Sequence, residues 1–365
     1  MYSFEPTEEQ QMLMDAVGKY ATNDLRPASH PAEESAEIPR RLVEKGWEIG
    51  LLQASIPEAF GGFGERSAVT GVLAVEKLAY GDLAGALSIL TPSLFATPIL
   101  LAGSEEQKQT YLPKVIAGDW SPYTAALIEY AFDFDPNALK TTATLQGEEY
   151  ILEGAKAFVP FAKDAAAILV YANLAGQTQG FIVPGGSSGL SIRDEREKLM
   201  SLNALPLYRV EFDSVKVPAS NRLGGLSGHD FEPILASMRV ATAAAAVGVA
   251  NAAFEYARDY AKEREAFGVK IAQKQAIAFM LAEMRTEIEA SRLLTWEAAW
   301  KLDQGKEDAS VEAYLASTGA ADMAMMVTDR AVQILGGHGY IREHPVEMWM
   351  RNGRGFATIT GLAIV

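Results

Sequence analysis

The stretch TTATLQGEEYILEGAKAF, residues 141–158, decides the fold. Polar and apolar residues alternate on both sides of Gln146-Gly147, the period of two that sends successive side chains to opposite faces of a strand. A glycine in so short a connection supplies the turn a hairpin needs. The β character spreads outward from this hairpin. AAAILVYANL (165–174), TQGFIVPG (178–185) and YRVEFDSVKVP (208–218) read as further strands, punctuated by glycine, proline and serine.

On either side the period changes. From about Thr7 to Ala117 apolar residues recur at three- and four-residue intervals, as in EEQQMLMDAVGKYATNDL (8–25). Thr7 and Gln10 have capping-box spacing, which satisfies free amides at a helix start. ASIPEAFGGFGE (54–65) interrupts the helices with a proline- and glycine-rich loop. From Asp230 onward the pattern is helical again, in three long segments, the last complete one closed by Gly336-Gly337. The expected architecture is α+β: an N-terminal helical domain over 1–118, a middle antiparallel β domain over 119–228, and a C-terminal helical bundle over 229–365.

Composition excludes several function classes. The formal charge is −15, which argues against nucleic acid and an anionic membrane face. VATAAAAVGVANAAF (240–254) is too short and alanine-rich to cross a bilayer and reads as a tightly packed helix. The acidic N-terminus has no basic segment followed by an apolar run, so a cytoplasmic location without a secretory leader is expected. The sequence holds no cysteine, which removes thiolate nucleophiles and Cys-ligated zinc.

Five motifs in order resemble the acyl-CoA dehydrogenase family: IPEAFGG (56–62), GSEEQKQTYLPKVIAGD (103–119), EYILEGAKAFV (149–159), REAFGVKIAQKQAIAFMLAEM (264–284) and AVQILGGHGYIREHPVEMWMRNGR (331–354). Each alone is weak; their order and spacing are specific. The resemblance implies FAD-dependent oxidation of acyl-CoA thioesters to 2-enoyl-CoA. In that family a glutamate takes the α-proton and the β-hydrogen leaves as hydride to the flavin. It also implies a tetramer in which one subunit's β domain holds the isoalloxazine and a neighbour's C-terminal domain covers the rest of the cofactor, with an electron-transfer flavoprotein as acceptor.

By that resemblance, Arg264, Phe267, Gln275, Gln333, Gly336 and Gly337 reach into the neighbour's FAD. The chemistry suits them: a guanidinium is a permanently charged planar donor for a pyrophosphate, and glycine lets the backbone come close. The family's β-domain contacts are altered. IEYAFDFD (128–135) keeps only Glu129 and Asp135, with Ile128, Tyr130, Asp133 and Phe134 in place of threonine, proline, glycine and serine. Phe158-Val159-Pro160 replaces tryptophan-isoleucine-threonine, and Pro160 has neither hydroxyl nor N–H to donate. In MSLNAL (200–205), Asn203 stands where an arginine belongs. Phe134, Phe158 and Leu205 are expected to fill this pocket with apolar bulk.

The family's base is absent from both places that carry it. Thr360 occupies the usual position and Met238, before Arg239, the other. A threonine hydroxyl is far too weak a base near neutral pH to accept an α-proton. The family's final helix is also missing after Gly361. His338 and His344 qualify by ionisation range alone, but no nucleophile triad or metal-ligand spacing stands out. The reading favoured here is a subunit of an α2β2-type mixed acyl-CoA dehydrogenase, completing a partner's FAD site, with a bulky, steroid-side-chain-like acyl group as substrate. Two alternatives stay open. One is a homomeric dehydrogenase with an unrecognised base; the other is a flavin-independent acyl-CoA-binding protein on the same fold.

Overall fold

The computed structural model describes residues 5–365. Eight helices come first: α1 (Glu8–Tyr20), α2 (Arg26–Ser35), α3 (Arg40–Trp47), α4 (Leu51–Ala54), α5 (Ala68–Gly81), α6 (Leu83–Leu90), α7 (Ser93–Ala102) and α8 (Glu105–Ile116). The Thr7–Gln10 capping box is formed at α1, and Ser104–Gln107 makes a second one at α8.

The strands follow as β1 (Thr124–Ala126), β2 (Thr142–Gln146), β3 (Glu149–Pro160), β4 (Ala167–Leu174), β5 (Gln177–Pro184), β6 (Leu190–Ile192) and β7 (Leu207–Pro218). They form one seven-stranded sheet in the order β1-β4-β2-β3-β7-β6, with β5 beside β4. The sheet departs from the fully antiparallel expectation at β4, which pairs in parallel with β1 and with the start of β2. The hairpin turn sits one residue further on than the sequence suggested. Gln146 pairs with Glu149, so Gly147 and Glu148 make the turn, and Gly147 takes φ +64°.

The C-terminal part is α9 (Glu232–Glu263), a small hairpin of β8 (Glu265–Ala266) and β9 (Val269–Lys270), then α10 (Gln275–Asp303), α11 (Ala309–Leu335) and α12 (Val346–Gly355). Helix α9 is not too short to cross a membrane: at 32 residues it is the one single helix, among the described residues, with the length and hydropathy to do so. Its burial marks it as a core helix, since 89% of its most apolar window is covered by protein. Its alanines and Gly248 allow this close approach; a Cβ at Gly248 would run into the Glu76 carbonyl oxygen of α5. Asp303 ties α10 to α5, accepting from Ser67 Oγ (2.8 Å) and from the amides of Ala68 (2.6 Å) and Val69 (3.1 Å) at the α5 N-terminus.

Candidate functional site

A cavity of about 820 Å³ opens between the sheet and the C-terminal helices. Its sheet side is aromatic, with Tyr130, Phe132, Phe134 and Phe158; its helical side carries Arg239, Tyr314 and Asp322; Thr358 and Thr360 close it from the loop after α12. The expectation of a pocket packed shut is therefore overturned. Phe134 and Phe158 form walls rather than filling, and Leu205 is 2% exposed in the core, away from the lining.

A bulge in the β3–β7 register between Lys156 and Val159 turns Phe158 to the cavity, at φ +54°. A bulky residue at positive φ is strained, and such strain collects at functional sites. Its ring meets the edge of Tyr130 at 5.6 Å, and the Arg209 guanidinium lies 5.2 Å from the other ring's centre. Burial and the neighbouring Glu197 push the Tyr130 phenol up to about 12. Pro160 is buried at the end of the same strand and offers no donor.

Glu129 also borders the cavity, but its carboxylate is committed. It accepts from Lys156 Nζ (2.7 Å) and from the amides of Lys140 (2.7 Å) and Thr141 (2.9 Å). Burial works to raise its pKa, yet the Lys156 charge and these hydrogen bonds outweigh it and hold the group low. Lys156 is fully buried; desolvation brings its ammonium down to about 8 against the attraction of Glu129. An ion pair so fully desolvated is a framework element, not a poised base.

The two positions where a base was sought separate clearly. Thr360 borders the cavity, whereas Met238 is 0% exposed and points into the core. Its neighbour Arg239 reaches the cavity instead, 5.1 Å over the Tyr314 ring and 3.9 Å from Glu232. The helical wall of Tyr314, Ser317, Thr318, Ala321 and Asp322 escaped the sequence reading, although its three- and four-residue spacing marks one face of α11. Asn203 gives its side-chain and backbone N–H groups to Glu33 at 2.7 and 2.9 Å, and Arg351 holds the same carboxylate. It braces a loop and does not line the cavity.

The six residues matched to a cofactor lie elsewhere, on the outer face of the C-terminal domain. Arg264, Gln275 and Gln333 are exposed, and Phe267 is 94% exposed at the tip of the β8–β9 hairpin. Gly336 adopts φ +57° and needs to be glycine for that reason. Gly337 has no such reason: a Cβ there would meet no atom of this chain. The end of α9, just before the hairpin, is fastened to the segment that follows the glycine turn by pairs that sequence reading missed. Tyr260, whose carbonyl accepts from Arg264 N, hydrogen-bonds His338 Nδ1 at 2.6 Å, and Tyr256 does the same with His344 at 2.7 Å. The two imidazoles stack at 5.4 Å. A permanently charged fork, two amides and a bare glycine backbone on one exposed face suit a dinucleotide pyrophosphate presented from outside the chain.

The sequence matches the acyl-CoA dehydrogenase N-terminal domain over residues 7–119, the middle domain over 126–215 and the C-terminal domain over 231–363. It is 35% identical to a cyclohex-1-ene-1-carbonyl-CoA dehydrogenase from Geobacter metallireducens, covering 97% of this chain and 95% of the relative. It is 34% identical to the caffeyl-CoA reductase-Etf complex subunit CarC from Acetobacterium woodii, covering 98% and 96%. The solved butyryl-CoA dehydrogenase from Megasphaera elsdenii superposes with a TM-score of 0.89 at 32% identity, covering 99% of this chain and 96% of that one.

Proposed function

The chain belongs to the acyl-CoA dehydrogenase family, and we propose that it serves there as the helper chain of a mixed assembly. Its activity class is oxidation and reduction of acyl-CoA thioesters, and the cofactor of the class is FAD. The observation that carries the proposal is the contrast at Thr360. The position that faces the cavity bears a neutral hydroxyl, while the outward face of the C-terminal domain keeps all six matched residues.

In this reading a related partner chain supplies the base and the isoalloxazine pocket. When bound, FAD supplies the hydride acceptor. This chain's residues position it: Arg264 donates to the pyrophosphate, Gln275 and Gln333 donate to nucleotide oxygens, and Gly336-Gly337 lets the backbone approach. Thr360 cannot take an α-proton, and Pro160 cannot donate to a ring edge. An electron-transfer flavoprotein is the proposed redox partner, in keeping with the Etf complex named for the Acetobacterium relative. A bulky, ring-bearing acyl group is the proposed substrate. The cyclohexenyl and caffeyl thioesters named for two relatives support it.

The test is the visible spectrum and FAD-to-chain ratio of the protein purified alone and co-expressed with its genomic neighbours. A colourless chain alone, loaded to one FAD per two chains and active with a partner, is the expected result. One FAD per chain and turnover of acyl-CoA by the chain alone would sink the helper reading. The open cavity favours a second reading, a homomeric enzyme in which Asp322 acts as base. Loss of turnover with retained flavin in Asp322→Asn would select it.

A further inference from the structure

A smaller cavity of about 290 Å³ lies in the N-terminal domain, bordered by α3, α4 and the loop from α8 to β1. It shares no residue with the large one. Two indoles and a phenyl ring form its walls: Trp47, Trp120 and Phe63. Both indoles are fixed. Trp47 donates from Nε1 to the Gly118 carbonyl at 3.1 Å, which ties the 118–120 loop to α3, and the Trp120 ring meets Phe161 edge-on at 4.9 Å. Gly50 takes φ +81°, and a Cβ there would stand 3.1 Å from Phe63 Cζ, so glycine lets that ring lie close.

Two polar atoms bordering this cavity have no partner in the chain. Trp120 is 5% exposed, and its Nε1, a donor, makes no hydrogen bond. Gln53 Oε1, an acceptor, is buried and equally unspent. Buried polar groups are as a rule hydrogen-bonded, so an orphan donor and an orphan acceptor beside one opening need a cause. Three carboxylates stand around them. Glu44 is held by Arg40 at 2.7 Å, whereas Glu48 and Asp119 make no ion pair among the described residues.

We propose that this cavity is a binding site for a guanidinium group joined to a carbonyl or carboxylate oxygen, the chemistry of arginine. A planar cation stacks on indole and phenyl faces. Its N–H fork donates to Gln53 Oε1 and to the carboxylates of Glu48 and Asp119, and the oxygen accepts from Trp120 Nε1. The volume lies at the lower end for ligand sites and suits one such group rather than a nucleotide. Both orphan atoms are covered by protein, so the occupant reaches them as the wall gives way at Phe63, which is 63% exposed. A free amino acid and an arginine side chain of a bound peptide offer the same chemistry. The site stands apart from the acyl-CoA reading, since none of its residues belongs to the cavity or the outer face described above.

The experiment is calorimetric titration of the full chain with L-arginine, N-acetyl-L-arginine methylamide, L-lysine and L-citrulline, the last an uncharged isostere of arginine. At least one arginine form is expected to bind with a Kd of about 1 mM or tighter. Citrulline should bind at least about tenfold more weakly, the loss of a charge-assisted contact. A capped form that binds at least as tightly as the free amino acid assigns the site to a peptide side chain; the reverse assigns it to free arginine. Gln53→Leu and Trp120→Phe each remove one orphan atom and keep most of the bulk, and each should weaken binding about tenfold. Three results with the wild type alone overturn the site and need no variant to fold. Binding of neither arginine form leaves the two atoms to a bridging water. Citrulline binding as tightly as arginine removes the charge from the recognition. Lysine binding as tightly reduces it to the general attraction of an acidic chain for cations. An affinity unchanged in both folded variants overturns it as well.

Discussion

On the reading proposed above, the glycine turn at 333–337 and the strand end at 158–160 would address the same cofactor chemistry, and the first keeps the residues of the family pattern where the second departs from them. The turn presents the Gln333 amide and a bare backbone to the outside, including a glycine whose missing side chain nothing in this chain requires. The strand end presents a strained phenylalanine, a proline without a donor and, across the cavity, a threonine without a charge. The framework behind the strand end is nevertheless intact, with Glu129 and Lys156 paired at 2.7 Å in the interior. Change at the groups that the proposed reading would set against a ligand, with the supporting ion pair kept, fits a face released from chemistry rather than from folding.

The first expected effects test the outer face of the C-terminal domain. Removing a charge-assisted contact to phosphate costs about 1.5–3 kcal/mol, so Arg264→Ala should weaken FAD loading of the assembly roughly 10- to 100-fold, read by flavin release on dilution. Gly337→Val is the sharper probe. No atom of the chain lies near that Cβ, so the isolated chain should keep its melting temperature while the assembly loses flavin. The matching change on the other face, Thr360→Glu, should give no turnover in the isolated chain, because Pro160 still offers no donor. Acyl-CoA-dependent bleaching of flavin in that single variant would erase the distinction between the two faces.

A second expected effect concerns stability. Lys156→Met leaves the Glu129 carboxylate buried with only its two backbone donors. Breaking a buried pair in this way costs about 3–5 kcal/mol, and thermal or denaturant unfolding should show it as a large fall. If the loss is below about 1 kcal/mol, the pair is not the framework element described above, and the contrast between preserved support and altered contacts weakens.

How far the sequence revealed all this varies with the physics of each signal. The β hairpin was legible because a period of two is local, and the glycine-closed helix α11 because its cap is local. The turn was misplaced by one residue, since register depends on the pairing of both strands. The cavity was misread because three apolar residues, Phe134, Phe158 and Leu205, say that bulk is present but not where it points. A bulge at residues 156–159 decides that for Phe158. The Tyr–His fastening joins residues 78 or more apart in the chain, and no local pattern marks it. Met238 and Thr360 looked equivalent as missing bases, and only packing shows that one of them faces the core.

The last expected effect lies at the joint between the two regions, the linker from β7 to α9. Gln179 holds it there, donating to the His229 carbonyl at 2.8 Å and accepting from Arg222 at 2.9 and 3.1 Å. Burial brings the His229 imidazole down to about 4; the Arg222 charge adds to the fall and Asp230 opposes it. The folded chain therefore keeps this ring neutral while an unfolded chain would protonate it near the ordinary value of about 6.5. Between those limits the unfolded state binds more protons, so stability is fully present above pH 6.5 and is lost as pH falls towards 4. The full span of that loss is about 3 kcal/mol. Calorimetric unfolding from pH 7 to 4 should show it, and His229→Gln, which cannot titrate, should flatten that slope while leaving the neutral-pH flavin loading of the assembly as it was. An unchanged slope in that variant would move the acid sensitivity away from the joint and leave the two regions coupled by packing alone.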